Sequence, residues 1–143
     1  MKTHLNFATT HLEKSVGFYS TLLDKKPVKM LDDYALFITD DPGLELALDL
    51  SEHVVPSADA HYGLRVDDVE EVERAIARLE RVDLVASIER DEICCYAKQS
   101  KVWTTDPDGR RWEVYTVHEE TGERDGSQGS CCANDEASAC CGA

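Results

Sequence analysis

Basic residues are scarce in this chain. Lys and Arg number 15 against 29 Asp and Glu, a formal charge of -14 over 143 residues. Nucleic acid and anionic membrane surfaces are therefore excluded as expected partners, since both repel a polyanion. Long apolar runs are missing as well. The longest are strand-sized, far short of the roughly 20 residues that span a bilayer, and the opening MKTHLNF lacks the apolar core of a secretory signal. A cytoplasmic protein is the expectation. The last stretch, 119–143, holds no aromatic residue and no Leu, Ile or Val. Such a segment cannot offset its own ordering entropy. The expectation is one domain over 1–118 followed by an acidic, disordered, Cys-containing tail over 119–143.

What is present is distinctive first in its cysteines. All six fall in adjacent pairs, Cys94-Cys95, Cys131-Cys132 and Cys140-Cys141. A disulfide between sequence neighbours closes a strained ring and constrains almost no loop of the unfolded chain, so these pairs are not a folding scaffold. They suit soft-ion or redox chemistry instead.

The folded part repeats itself. THLNFATTHLEKSVGFYSTLL matches AHYGLRVDDVEEVERAIARL, each an extended run opening on a histidine, then a turn, then an amphipathic helix. His4 aligns with His61, and each helix begins eight residues later, at Leu12 and Val69. Capping boxes are expected at Thr10 with Glu13 and at Asp68 with Glu71. Helical spacing places Leu12, Val16, Tyr19, Leu22 and Leu23 on one buried face, and Val69, Val72, Ile76 and Leu79 on the other. Short strand-like runs follow each helix: PVKML, YALFI and LELALDL, then LVASIER, SKVWTT and RWEVYTV. Each half reads βαβββ, as modules of about 1–52 and 58–118. The expected fold is α+β, with two βαβββ modules forming a curved mixed sheet around a metal site and the helices outside.

His4, His61 and Glu113 each fall on an expected strand. Two histidines and one carboxylate form an open triad suited to non-haem Fe(II). Glu45 is the first-half counterpart of Glu113; if it also bound the ion, four protein ligands would favour a Lewis-acid centre over an oxygenase. His4 and Glu45 are 41 residues apart and His61 and Glu113 are 52 apart, so the second half carries 11 more. The excess falls around Arg90 to Ser100, where a longer loop over the site is expected. That segment holds Cys94 and Cys95. A trivalent arsenical bearing one carbon group has two exchangeable positions, which two neighbouring thiolates match. Cd(II), Hg(II) and Zn(II) also bind thiolates. Lys98 and Lys101 flank the pair, either favouring the thiolate form or serving as plain surface residues. Cys131, Cys132, Cys140 and Cys141 read as accessory thiols, and His11, His53 and His118 as structural or solvent-facing.

With these residues in place, the paired βαβββ pattern over 1–118 resembles the vicinal oxygen chelate superfamily of glyoxalases, fosfomycin-resistance proteins and extradiol dioxygenases. THLNFAT, AHYGLRV, EICCYAKQSKVW and DPDGRRWEVY, followed by a tail of adjacent cysteines, resemble the ArsI-type carbon–arsenic lyases within it; CadI-type proteins are close relatives. The resemblance implies an Fe(II)-dependent dioxygenase that cleaves the carbon–arsenic bond of trivalent organoarsenicals such as methylarsenite to give arsenite. It implies His4, His61 and Glu113 as iron ligands, Cys94 and Cys95 as the arsenic-binding pair, dioxygen as co-substrate, and a mobile loop from about Arg90 to Lys101. Both monomer and homodimer fit the pattern. Two alternatives stand beside it: a thiol protein that sequesters Cd(II) or arsenic without catalysis, and a glyoxalase-like enzyme using Ni(II), Zn(II) or Mn(II).

Overall fold

The computed structural model describes residues 1–94 and 97–120. The tail cysteines Cys131, Cys132, Cys140 and Cys141, and Cys95, lie outside the described residues. The chain divides into two compact units, one made of 1–57 with 105–110, the other of 58–104 with the residues from Arg111 on.

The first unit runs β1 (Thr3–Thr9), α1 (Leu12–Leu23), β2 (Lys29–Met30), β3 (Tyr34–Thr39) and β4 (Leu44–Leu50). Its sheet has the order β1-β4-β3-β2. β1 lies parallel to β4, while β3 is antiparallel to both β4 and β2. A parallel neighbour needs a crossover, which α1 begins. α1 packs on β3 and β4 and buries Leu12, Ser15, Phe18, Tyr19 and Leu22. Val16 and Leu23, expected inside, are only half-buried. The face is turned toward Phe18 and Ser15, because the Ser15 hydroxyl meets that of Thr9 at 2.7 Å. Phe18 and Tyr19 meet edge to face at 5.0 Å. Each large apolar side chain so buried contributes about 1.5–3 kcal/mol.

The Thr10–Glu13 capping box is absent, and this corrects the sequence reading. His11 occupies the cap without a side-chain hydrogen bond. The amide and hydroxyl of Thr10 both donate to Asp108 Oδ1, at 3.0 and 2.7 Å. That partner is 98 residues away, so a local pattern could not reveal it. Burial alone would push the Asp108 carboxyl up, but hydrogen bonds from Thr9 and Thr10 and the charge of Arg110 outweigh it and hold it below its usual 3.8. A carboxyl depressed on folding stabilises fully above its unfolded value, and that stability is lost as pH falls through the folded one. Asp108→Asn is therefore expected to cost about 1–3 kcal/mol at pH 7 and to flatten the acid limb of the stability profile. Urea melts between pH 7 and pH 2 measure both.

The second unit runs β5 (His61–Arg65), α2 (Val69–Glu80), β6 (Ser87–Cys94), β7 (Ala97–Thr105, its last residue grouped with the first unit) and β8 (Arg111–Glu120). Its order, β5-β8-β7-β6, repeats the first sheet's, and β5 is again parallel to β8. Here the cap is as expected on one side: Asp68 accepts from the Glu71 amide at 2.8 Å. The Glu71 carboxylate reaches back one residue further, to the amide of Asp67 at 3.0 Å. α2 packs on β8 through Val72, Ala75, Ile76 and Leu79, with Val69 exposed. Trp112 is fully buried and stacks on Tyr62 at 5.0 Å. β8 extends to Glu120, two residues past the boundary expected at His118. No helix among the described residues is long and apolar enough to cross a membrane.

Candidate metal and substrate site

In each unit the first strand lies parallel to the last, and a histidine on one meets a glutamate on the other. In the first unit His4 pairs with Glu45 in register, and His4 Nδ1 is 3.5 Å from Glu45 Oε2. In the second, Glu113 pairs with Gly63, and His61 Nε2 is 3.6 Å from Glu113 Oε1. The two pairs therefore differ by two residues in register. Because side chains alternate with period two, the offset leaves His and Glu on the same face. Within either unit the described residues bring together such pairs and no group of three His, Cys, Asp or Glu.

The environments differ sharply. His4 and Glu45 are both well exposed. His61 keeps 51% of its side chain exposed, but Glu113 keeps only 10%. Glu113 is enclosed by β7: Lys101 Nζ lies 3.0 Å from its Oε2, with the lysine side chain 4% exposed. The ammonium sits over the rings of Trp103 and Tyr115, at 5.5 and 5.9 Å. Trp103 also meets the His61 ring at 5.3 Å and the Arg111 guanidinium at 4.6 Å. Its indole N–H donates to Glu89 at 2.9 Å, which locks the ring. Gly63 completes the wall, since a Cβ there would come within 2.9 Å of Tyr115 and 3.3 Å of Glu113 Oε1.

The donor set suits a divalent ion. Two ligand atoms each about 2.1 Å from one ion lie about 3.0–3.4 Å apart at octahedral or tetrahedral angles, close to the 3.6 Å between His61 Nε2 and Glu113 Oε1. Glu113 Oε2 is buried and makes no hydrogen bond of good geometry among the described residues. Its contact with Lys101 is an ion pair at hydrogen-bond distance but at poor angles. The carboxylate is thus charge-compensated while keeping lone pairs uncommitted.

The segment expected as a loop between Arg90 and Lys101 is a hairpin. β6 and β7 continue antiparallel to the pair Cys94 with Ala97, so the 11 extra residues lengthen strands. The register slips between Glu89 and Glu92. Asp91 there adopts a left-handed φ of 56°, and its amide donates to Ser100 Oγ at 3.1 Å. Ser100 also meets His118 Nε2 at 2.8 Å, which gives His118 the structural role expected of it. Cys94 ends β6.

Lys101 and its aromatic frame were not singled out from the sequence as site residues. The signal was available: in a strand, Lys101 and Trp103 share a face, and a lysine sharing a tryptophan's face beside an acidic strand is poorly explained as surface.

A family model described as the Glyoxalase/Bleomycin resistance protein/Dioxygenase superfamily matches residues 3–114. The chain is 38% identical over 144 residues to the trivalent organoarsenical cleaving enzyme of Bacillus sp. (strain MD1), covering 96% of this chain and 88% of that one. It is 42% identical over 106 residues to the cadmium-induced protein CadI of Mycobacterium tuberculosis, covering 74% and 69%. A solved glyoxalase/bleomycin resistance protein/dioxygenase from Alicyclobacillus acidocaldarius superposes with a TM-score of 0.67 at 18% identity, over 83% of this chain and 92% of that one, a likeness of fold.

Proposed function

Because the chain belongs to the Glyoxalase/Bleomycin resistance protein/Dioxygenase superfamily, we propose that it cleaves the carbon–arsenic bond of trivalent organoarsenicals, as an Fe(II)-dependent dioxygenase. The names of its relatives support organoarsenical cleavage. The observation that carries the finer reading is that one sheet, β5-β8-β7-β6, holds both the His61–Glu113 pair and the hairpin bearing Cys94.

His61 and Glu113 would supply two ligands, and His4, at the matching place in the repeat, is the third that the sequence resemblance implies. Fe(II) held there would activate dioxygen. The chain's own residues do the rest. Cys94 and Cys95 take the two exchangeable positions of a mono-substituted arsenical, turning a bimolecular encounter into an oriented one. Ala97, the register partner of Cys94, is four residues from Lys101 along β7, or about 13 Å. The segment from about Arg90 to Lys101 would move to carry the bound arsenical toward Glu113. After cleavage the thiolates retain the arsenic, so release needs the hairpin to swing back or the arsenic to exchange onto another thiol. Cys131, Cys132, Cys140 and Cys141 are suited to that exchange.

A second reading rests on the His4–Glu45 pair: four protein ligands and Lewis-acid chemistry that needs no dioxygen. Dependence on dioxygen separates the readings, and the two-thiol substrate grip is tested on its own. Cys94→Ser/Cys95→Ser is expected to lose tight methylarsenite binding and to lower arsenite release by about 100-fold or more, while its affinity for added Co(II) stays as in the wild type. Full turnover by that variant would overturn the dithiol grip.

A further inference from the structure

Glu113 is a buried carboxylate, and a buried charge without a partner is strongly destabilising. Among the described residues its partner is Lys101, whose ammonium is 3.0 Å from Oε2 and is itself shielded by Trp103 and Tyr115. The opposite oxygen, Oε1, faces His61 Nε2. We propose that Lys101 is a built-in counter-ion for Glu113: it occupies the Oε2 edge of the carboxylate, reserves the Oε1 edge for a cation shared with His61, and restrains the affinity of that position for divalent ions. The inference rests on Glu113 being a metal ligand.

Two consequences follow from charge alone. Without a bound ion, Lys101 neutralises Glu113 and preserves the fold. With a divalent ion on Oε1, the ammonium lies a few ångström from like charge and repels it. Lys101 is thus a positioning residue, keeping the carboxylate one-toothed and the ion exchangeable, and it leaves coordination places for other ligands. Its planar substitute, arginine, keeps the charge but not the compact fit between two rings.

The test is anaerobic Co(II) titration by visible absorption, with thermal melts of the ion-free and Co(II)-saturated full-length chain. Lys101→Met is expected to melt lower than wild type when ion-free, to bind Co(II) at least about tenfold more tightly, and to gain more in Tm from Co(II) than wild type does. Lys101→Arg should fall between the two. The double variant Lys101→Met/Glu113→Gln removes both charges; it should melt above Lys101→Met when ion-free and gain little from Co(II), which keeps the idea testable if the single variant fails to fold. Unchanged or weaker Co(II) binding by Lys101→Met, or a double variant no more stable than the single one, overturns the counter-ion role. Wild-type Co(II) binding indifferent to His61→Ala and Glu113→Gln overturns the metal site itself and the counter-ion role with it.

Discussion

His61→Ala is expected to lower organoarsenical cleavage by about 100-fold or more while leaving the fold and arsenical binding intact. Residues that merely support a metal ligand typically cost 10–100-fold when changed, about the floor for a ligand itself. His61 is the cleanest place to ask, because half its side chain is exposed and its contacts among the described residues include the 3.6 Å approach to Glu113 and the edge contact with Trp103. Losing it leaves no buried charge. Glu113→Gln is a poorer probe, since it strands the Lys101 ammonium inside the sheet. Arsenite release by His61→Ala, with arsenical binding measured by thiol-protection of Cys94 and Cys95, separates an enzyme from a sequestering protein. A protein that only captures arsenic is indifferent to this change.

The largest loss of stability is expected at Asp106. Its Oδ2 accepts from the Tyr19 hydroxyl at 2.7 Å and from Arg110 Nη1 at 3.0 Å. Its Oδ1 accepts from the amides of Asp108 and Arg110 at 3.0 and 2.8 Å. Arg110 is committed as well, donating to the Ala8 carbonyl at 2.7 Å and lying 4.6 Å over Phe7. Both side chains are buried. Asp106→Ala removes four acceptor contacts at once and leaves the guanidinium without its closest compensating charge, a change that costs about 3–5 kcal/mol. Asp106→Asn, which keeps the shape and part of the bonding, should cost less. Thermal melts should show the alanine variant about 10–20 °C below wild type. A shift of a degree or two would mean that the loop over 105–110 is held by something other than this network.

The βαβββ repeat was legible because it is written in local periodicity: the histidine-to-helix spacing, the apolar faces of α1 and α2, and the alternation in β4 and β8 all fall within one element. Contacts between distant segments were not. Thr10 carries a capping signature yet bonds Asp108, and Val16 gives up its inward place to Phe18 because Ser15 reaches back to Thr9. The 11 extra residues looked like a loop because length alone does not distinguish a lid from a longer hairpin. Only the pairing of β6 with β7, carried on to Cys94 with Ala97, makes the distinction. At the site, the pairing of His61 with Glu113 follows from the repeat, whereas its two-residue register offset from His4 with Glu45 depends on strand pairing. Lys101 was read only as a flank of the cysteines, because its burial depends on Trp103, Tyr115 and Glu113 arriving from two strands.

The most direct measurement is single-turnover arsenite release from methylarsenite by the full-length chain, reconstituted anaerobically with Fe(II) and then given buffer with or without dioxygen. The account predicts release only when both Fe(II) and dioxygen are present. Equal release without dioxygen would contradict it in favour of Lewis-acid chemistry, and tight binding with no release would make this protein a thiol trap.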